Sequence, residues 1–155
     1  MTPAVEAAKK AGLVFRVHQY RHDPGHPSYG EEAAEKLGID PARVFKTLVV
    51  KLDDRGLAVA VVPVSGLLDM KAAAKALGGR RAGMAEAGEV QRATGYLLGG
   101  VSPLGQKRRL PTLIDESALG FETLFVSAGR RGLEMELQAR ALADLLGARF
   151  AALSR

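Results

Sequence analysis

The residue best placed to do chemistry is a lysine inside an apolar segment. Residues 44–50 read VFKTLVV, a β-branched and apolar run that predicts a strand. Side chains alternate along a strand, so Lys46 should share one face with Leu48 and Val50, while Thr47 points to the other face. A lysine on an apolar face either extends its ammonium group to solvent or meets an anion in a cleft. The segment alone leaves both interpretations open.

A glycine-rich loop, residues 99–105, is the second candidate. Backbone N–H groups near Gly99 and Gly100 can bind a carbonyl oxygen or a phosphate, because no side chain blocks the approach. The loop lacks the Gly-Lys-Ser/Thr ending of a P-loop, and Pro111 follows where a phosphate-capping helix should run. This argues against a nucleoside triphosphatase. A tight connection between strands would explain the glycines equally well.

Basic residues supply the third signal. The chain carries 22 Lys and Arg against 17 Asp and Glu, a net charge of +5 that favours an anionic partner. Lys107, Arg108, Arg109 and Arg130 are candidates for contacts with a phosphate backbone if they share a face, although each cluster alone is typical of a solvated surface. Aromatic residues are only 5% of the chain, which argues against a platform for stacking single-stranded bases.

Several other chemistries are disfavoured, and we expect no metal and no cofactor. The absence of cysteine excludes disulfides, thiolate metal sites and a cysteine nucleophile. His18, His22 and His26 are spaced by four, but the prolines and glycine between residues 23 and 28 prevent one continuous helix. No histidine follows His26, so a serine triad built on Ser102 has weak support.

The length and hydropathy patterning predict one domain spanning residues 1–155, with a single core. The N-terminus has no continuous apolar region, and no apolar run approaches membrane-spanning length. We therefore expect a soluble, unexported, cytoplasmic chain without membrane association.

Caps, turns and periodicity predict an α+β fold with a mixed, barrel-like sheet flanked by helices, because strands occur in hairpins mixed with helices. Residues 53–56 should turn one hairpin, and residues 128–132 should form the loop between the last two strands. Helices are predicted at residues 3–11, 31–37, 70–77, 86–93 and 138–146, the second of them capped by Ser28. Strands are predicted at residues 13–20, 44–50, 57–64, 80–84, 113–114, 123–127 and 133–137.

Three runs carry a resemblance to a known family. They are VFKTL at 44–48, TGYLLGGVSPLGQKR at 94–108 and VSAGRRGLE at 126–134, and residues 1–5 and 18–20 also match. The chain resembles the YbaK/EbsC family and, within it, the YbaK-type Cys-tRNA(Pro) deacylases, which are related to the editing domain of bacterial prolyl-tRNA synthetases.

The resemblance implies a fold, a substrate and a set of site residues. The fold would be the mixed, barrel-like sheet with a pocket for the 3′-terminal aminoacyl-adenosine of tRNA. Lys46 matches the essential lysine, and Glu134 stands where close relatives carry aspartate, so we expect its negative charge to be kept. Ala128 replaces a glycine of the family loop. The residues that match the lining of the family's substrate pocket are Tyr20, Thr47, Gly99 and Ser127.

The implied activity is the release of cysteine from mischarged Cys-tRNA(Pro), by attack of the substrate thiol on its own ester. Backbone amides near Gly99 and Gly100 would stabilise the oxyanion, and Lys46 would anchor a phosphate or ribose oxygen, because an unperturbed lysine is protonated at neutral pH. Prolyl-tRNA synthetase is the expected partner. The alternatives are a deacylase that uses water on another small aminoacyl-tRNA such as Ala-tRNA(Pro), a non-catalytic module that binds a tRNA end or a partner, and a hydrolase or regulatory pocket protein unrelated to tRNA.

Overall fold

The computed structural model describes all residues from Met1 to Arg155, and it has two β-sheets with helices packed around them. The α-helices are α1 (Pro3–Lys10), α2 (Tyr29–Leu37), α3 (Met70–Ala76), α4 (Ala87–Thr94) and α5 (Ala139–Leu146). The strands are β1 (Phe15–Gln19), β2 (Phe45–Leu52), β3 (Gly56–Pro63), β4 (Ala82–Met84), β5 (Thr112–Asp115), β6 (Leu124–Arg130), β7 (Leu133–Leu137) and β8 (Arg149–Ala151). Short 3₁₀ turns span Pro41–Arg43 and Glu116–Gly120.

The larger sheet has the strand order β4-β2-β3-β5-β8 and mixes both pairing directions. β2 pairs antiparallel with β3 through a hairpin, whereas β3 pairs parallel with β5, and β5 pairs parallel with β8. Asp53 and Asp54 both have positive φ angles at the hairpin turn, a conformation that aspartate tolerates better than most residues. This hairpin carries Lys46 in its first strand.

The smaller sheet has the order β1-β7-β6 and is antiparallel throughout. Its inner face packs against one face of the larger sheet: Val126 and Met135 share a buried cluster with Val49 and Val61. The opposite face is more polar, because Glu134 lies directly across from both His18 and Ser127 in the pairing register. The two sheets thus sandwich the core and leave a polar face open toward α2.

Helix boundaries follow the capping residues that the sequence supplies. The side chains of Thr2, Ser28 and Asp69 accept hydrogen bonds from the first-turn N–H groups of α1, α2 and α3. Gly38 and Gly147 end α2 and α5 in the left-handed conformation. Ser28 therefore caps α2 as predicted, and the helix begins at Tyr29, which this places at the site described below.

The predicted α+β fold with helices flanking a mixed sheet is confirmed, with three corrections. The strands form two sheets, which do not close into a barrel, rather than the single barrel-like sheet that was predicted. β8 was not predicted, because Arg149–Ala151 is short and lacks a strand-like pattern. Residues 128–132 do not form a loop: β6 runs to Arg130, with a register shift between Ser127 and Arg130. Within that bulge the positive φ of 111° falls on Gly129 rather than on Ala128.

No helix is both long and apolar enough to cross a membrane.

Candidate active site

A pocket of about 380 Å³ lies between the first half of β2, the polar face of the smaller sheet, the start of α2 and the glycine loop. This volume is in the range typical of small-molecule sites. The pocket is lined by Tyr20, Pro27, Ser28, Tyr29, Gly30, Phe45, Lys46, Thr47, Leu48, Leu98, Gly99, Val101, Ser127 and Glu134.

Most of the residues that the sequence predicted for the site lie together here. Those in the lining are Tyr20, Lys46, Thr47, Gly99, Ser127 and Glu134. Gly100 is the exception. The additional lining residues at 27–30 were not predicted; the N-cap at Ser28 was the available signal, since it fixes where α2 begins and which side chain follows.

Lys46 has one polar partner in the protein, a backbone carbonyl. Its Nζ donates a hydrogen bond to the oxygen of Gly66 at 3.2 Å, and no carboxylate forms an ion pair with it. Leu48 and Val50, on the same face of β2, pack in the cluster beneath α3, while Phe45 and Val49 pack on the other face. The ammonium group thus keeps two of its three donor positions for a ligand.

Thr47 contributes a hydroxyl group with no partner. Its Oγ1 is buried and makes no hydrogen bond in the protein. Leaving a buried hydroxyl unsatisfied typically costs about 1–3 kcal/mol. A polar ligand atom in the pocket would remove this penalty, so the hydroxyl is a candidate ligand contact.

Glu134 is almost fully buried at the base of the pocket, with 7% of its surface exposed. Burial raises the pKa of its carboxyl group from 4.5 to about 8, because the charged form is deprived of water. The negative charge expected for Glu134 is therefore disfavoured by burial at neutral pH. A protonated carboxyl group can donate a hydrogen bond as well as accept one.

Tyr20 and Ser127 complete the polar wall. Burial, and then the nearby Glu134 carboxyl, raise the pKa of the Tyr20 hydroxyl. The Ser127 Oγ accepts a hydrogen bond from the Gly129 N–H at 3.2 Å, which ties this side chain to the bulge of β6. Neither hydroxyl is bonded to a base, so neither is activated as a nucleophile.

The glycine loop offers free amide groups, but not from Gly100. The Gly100 N–H donates to the Leu97 oxygen at 3.0 Å and closes a turn in which Gly99 has a φ of 92°. A Cβ on Gly100 would lie 2.7 Å from the Arg130 Cα, so this glycine is required for packing on the β6–β7 turn. The N–H groups of Gly99 and Val101 make no hydrogen bond in the protein and belong to pocket residues.

A buried ion pair holds the pocket wall that was not predicted. The Arg131 Nε donates to the fully buried Glu32 carboxylate at 3.2 Å, and its Nη2 donates to the oxygens of Asp23 and His26. The guanidinium group also lies 4.1 Å from the centre of the Tyr29 ring. Arg131 therefore fixes residues 23–29 against the site and is not a solvated surface residue.

The Glu32 carboxyl group depends on these contacts for its charge. Burial by itself would raise the pKa, but the Asp23 N–H and the Arg131 guanidinium outweigh burial and lower it. The stability that this pair contributes should accordingly be present at neutral pH and lost only as the pH falls through the lowered pKa in acid.

Arg131→Ala is expected to lower the free energy of unfolding by about 3 kcal/mol, because it leaves the Glu32 charge buried without a partner. Urea unfolding at pH 7 measures the change. Arg130→Ala is the matched control, since Arg130 is the exposed neighbour and should change stability by no more than about 0.5 kcal/mol. Equal effects of the two variants would contradict the structural role of Arg131.

The predicted phosphate-binding residues do not all surround the pocket. Arg130 is exposed, and its backbone packs against Gly100, next to the pocket lining. Arg108 and Arg109 line a different cavity of about 180 Å³ between α1 and α5. The stem of Lys107 packs on Gly95, at the end of α4. The sequence clusters 107–109 and 130 are thus distributed over more than one surface.

No group of His, Asp or Glu side chains is arranged to hold a metal ion. His18 is bonded to Glu136 at 2.8 Å, and His26 is bonded to Glu35 at 3.2 Å. These histidines occupy a strand and a loop, as the sequence predicted.

Fold and pocket together define a class of protein: an α+β domain with a lysine, hydroxyl groups, free amides and a buried carboxyl group around one cavity. The comparisons with known proteins make the class specific. The profile of the family described as "Aminoacyl-tRNA editing domain" matches residues 23–145. The chain belongs to this family, and it is an editing hydrolase that acts on aminoacyl-tRNA.

Individual relatives agree with the family. The chain is 36% identical over 150 residues to the "Putative Cys-tRNA(Pro)/Cys-tRNA(Cys) deacylase EbsC" of Enterococcus faecalis, covering 97% of this chain and 91% of that one. It is 29% identical over 114 residues to the uncharacterized protein YwhH of Bacillus subtilis, covering 74% and 72% of the two chains. A crystal structure of "a putative trans-editing enzyme for prolyl tRNA synthetase" superposes with a TM-score of 0.86 at 26% identity, covering 100% of this chain and 99% of that one.

Proposed function

We propose that this chain, as a single domain spanning residues 1–155, deacylates mischarged Cys-tRNA(Pro) in trans in the cytoplasm. The observation that carries the proposal is the composition of the pocket. It gathers Lys46, the orphaned Thr47 hydroxyl and a buried carboxyl group beside free amides, yet it contains no histidine or cysteine to act on an ester. The specificity for cysteine rests on the likeness to the EbsC protein.

The absence of an activated nucleophile fits a reaction in which the substrate supplies its own. The cysteine sulfur forms a bond to the ester carbonyl carbon, and the bond from that carbon to the ribose oxygen breaks. The thiol proton ends on the released ribose hydroxyl group, leaving a cyclic thiolactone that water then opens. Intramolecular attack in a favourable geometry can lower a barrier by about 7–11 kcal/mol, so positioning is the main task of the protein.

In this proposal the chain's own residues orient the ester and stabilise charge. Lys46 anchors a phosphate or ribose oxygen of the terminal nucleotide. The free Gly99 N–H, with that of Val101, takes the oxyanion role that the sequence assigned to Gly99 and Gly100, because the Gly100 amide is engaged with Leu97. Tyr20, Thr47, Ser127 and Glu134 bind the aminoacyl group and the ribose.

The decisive experiment is deacylation of a panel of aminoacyl-tRNAs by the purified protein. We expect Cys-tRNA(Pro) to be hydrolysed, whereas Ser-tRNA, which is nearly isosteric but a poor nucleophile, should persist. Equal rates for the two would contradict attack by the thiol while leaving a deacylase. Preferential hydrolysis of Ala-tRNA(Pro) would instead favour a sibling enzyme that uses water.

Selection of tRNA(Pro) is proposed to involve prolyl-tRNA synthetase. The same panel run with and without the synthetase tests this, and we expect the preference for tRNA(Pro) over tRNA(Cys) to increase when the synthetase is present. An unchanged preference would mean that the chain selects the tRNA by itself or not at all.

We also propose that Lys107, Arg108, Arg109 and Arg130 contact tRNA phosphates. Deacylation at limiting substrate should then fall as salt rises, and neutralising each contact should flatten the logarithmic slope by about one unit. Arg130→Gln should do so because Arg130 adjoins the pocket. A flatter salt dependence in Arg108→Gln would extend the tRNA-binding surface to the region between α1 and α5. A deacylation rate that does not change with salt would mean that none of the four residues contacts tRNA phosphates.

A further inference from the structure

The backbone carbonyl that receives Lys46 belongs to a segment bound by the last residues of the chain. Gly66 lies in the connection between β3 and α3, and its oxygen is the one polar contact of the Lys46 ammonium group. A Cβ on Gly66 would meet the Arg155 oxygen and the Ser154 Cβ, each at 3.5 Å. The Gly66 carbonyl also shares a peptide plane with the Leu67 N–H, which donates to the Arg155 oxygen, so the direction of this carbonyl is tied to the C-terminal segment.

The two segments pair like strands. The Leu67 N–H donates to the Arg155 oxygen at 3.0 Å, and the Arg155 N–H donates back to the Leu67 oxygen at 2.9 Å. Leu68 and Ser154 form an antiparallel bridge, and the Asp69 N–H donates to the Leu153 oxygen at 2.7 Å. This short ladder holds residues 67–69 on both sides of the bridge.

A buried aspartate holds the other side of the C-terminal segment. Asp115, at the end of β5, is 3% exposed, and its Oδ1 accepts the N–H groups of Leu153 at 2.8 Å and Ser154 at 2.9 Å. Its Oδ2 accepts the Ser117 N–H at 3.2 Å. The backbone of residues 153–155 is therefore held by two sets of hydrogen bonds: one to the Asp115 carboxylate and one to residues 67–69.

We propose that Asp115 and residues 153–155 form a positioning clamp for Lys46. The clamp holds the Gly66 carbonyl, and the carbonyl holds the ammonium group at the pocket wall, so the lysine does not have to be ordered when the substrate binds. A lysine side chain is among those that lose the most conformational freedom on being fixed. The clamp lies mostly outside the region that matches the family profile, which ends at residue 145. The proposal rests on the anchoring role given to Lys46 above.

The test is a double-mutant cycle on deacylation, measured at steady state with the substrate concentration varied around its KM. A variant ending at Leu153 removes the Arg155 and Ser154 contacts, and we expect it to raise the KM for Cys-tRNA(Pro) about 10-fold, with a smaller effect on kcat, because a hydrogen bond to a charged group is worth about that factor. In a Lys46→Ala background the same truncation should change nothing further. An equal loss in both backgrounds would overturn the clamp, since the tail would then act on the fold as a whole.

Two further variants separate positioning from stability. Asp115→Asn keeps the shape of the side chain, but it leaves one weaker carbonyl acceptor and replaces the other oxygen by an NH2 group that cannot accept, so it should resemble the truncation. Arg149→Ala is the matched control: Arg149 lies in β8, just before residues 153–155, and its guanidinium group donates to the Ala76 oxygen at 2.6 Å rather than to Gly66. A KM increase for Arg149→Ala equal to that of the truncation would overturn the proposal.

Measuring the reactivity of Lys46 without substrate tests the clamp independently of the proposed function. Trace labelling of lysine amines with acetic anhydride, followed by mass spectrometry, should show faster modification of Lys46 in the truncated chain, with Lys51 unchanged as an internal reference. Unaltered Lys46 labelling would refute the clamp even if the chain deacylates Cys-tRNA. Failure of the wild type to deacylate, together with faster labelling, would refute the proposed function and leave the clamp standing.

Discussion

Lys46→Ala should lower deacylation of Cys-tRNA(Pro) by about 100-fold or more while leaving the melting temperature nearly unchanged. The size of the loss is that of removing one well-placed donor from an active site. The small effect on stability follows because the ammonium group makes one hydrogen bond, to Gly66, and no ion pair. Lys46→Arg should restore little activity, since a planar guanidinium group does not fit a position built for a compact ammonium group.

Lys51→Ala is the control that the same strand provides. Lys51 also lies on β2, but it pairs with Glu89 at 2.9 Å and is absent from the pocket lining. Paired thermal melts and deacylation assays on the three variants and the wild type measure both effects. Near-normal turnover by Lys46→Ala would remove Lys46 from the site and, with it, the main support for the anchoring role.

Glu134→Gln should change how stability depends on pH. The folded pKa of Glu134, about 8, lies above its ordinary value of 4.5, so between these values the folded protein binds a proton that the unfolded chain has released. Stability must then fall as the pH rises through this window. At about 1.4 kcal/mol per pH unit, the wild type should lose about 3 to 4 kcal/mol relative to Glu134→Gln between pH 5 and pH 8.

Urea unfolding of the two proteins at several pH values provides the measurement, and the comparison cancels every other titrating group. Parallel curves would mean that Glu134 is ionised in the folded protein at neutral pH. Binding adds a second test, because the α-ammonium group of an aminoacyl ester beside this carboxyl group favours its charged form. Substrate binding at pH 7 should therefore release a proton from Glu134, and Glu134→Gln should abolish that release.

The buried carboxyl group also illustrates a limit of reading chemistry from residue type. Glutamate in place of aspartate led to the expectation of a retained charge, yet the charge state depends on the water that the surrounding strands exclude. His18, which lies directly across from Glu134 in the sheet register, is far from it in sequence. No local sequence pattern shows that water is excluded from Glu134.

The sequence by itself determined the elements and their faces. Caps at Thr2, Ser28 and Asp69, the turn at residues 53–56 and the alternation along residues 44–50 act through contacts within a few residues, so they can be read directly from the chain. The runs shared with the YbaK/EbsC family supplied the candidate residues of the site. These signals predicted the α+β fold and a set of residues, most of which line one pocket.

Tertiary structure decided what those residues can do. Arg130 and Arg131 are neighbours of the same type, but only Arg131 meets the buried Glu32, 99 positions away in the chain. Gly99 and Gly100 are likewise neighbours of the same residue type. Gly100 packs against Arg130, however, and only Gly99 lines the pocket. Burial, partner choice and protonation arise from contacts between distant segments, and local sequence patterns carry no information on which segments will meet.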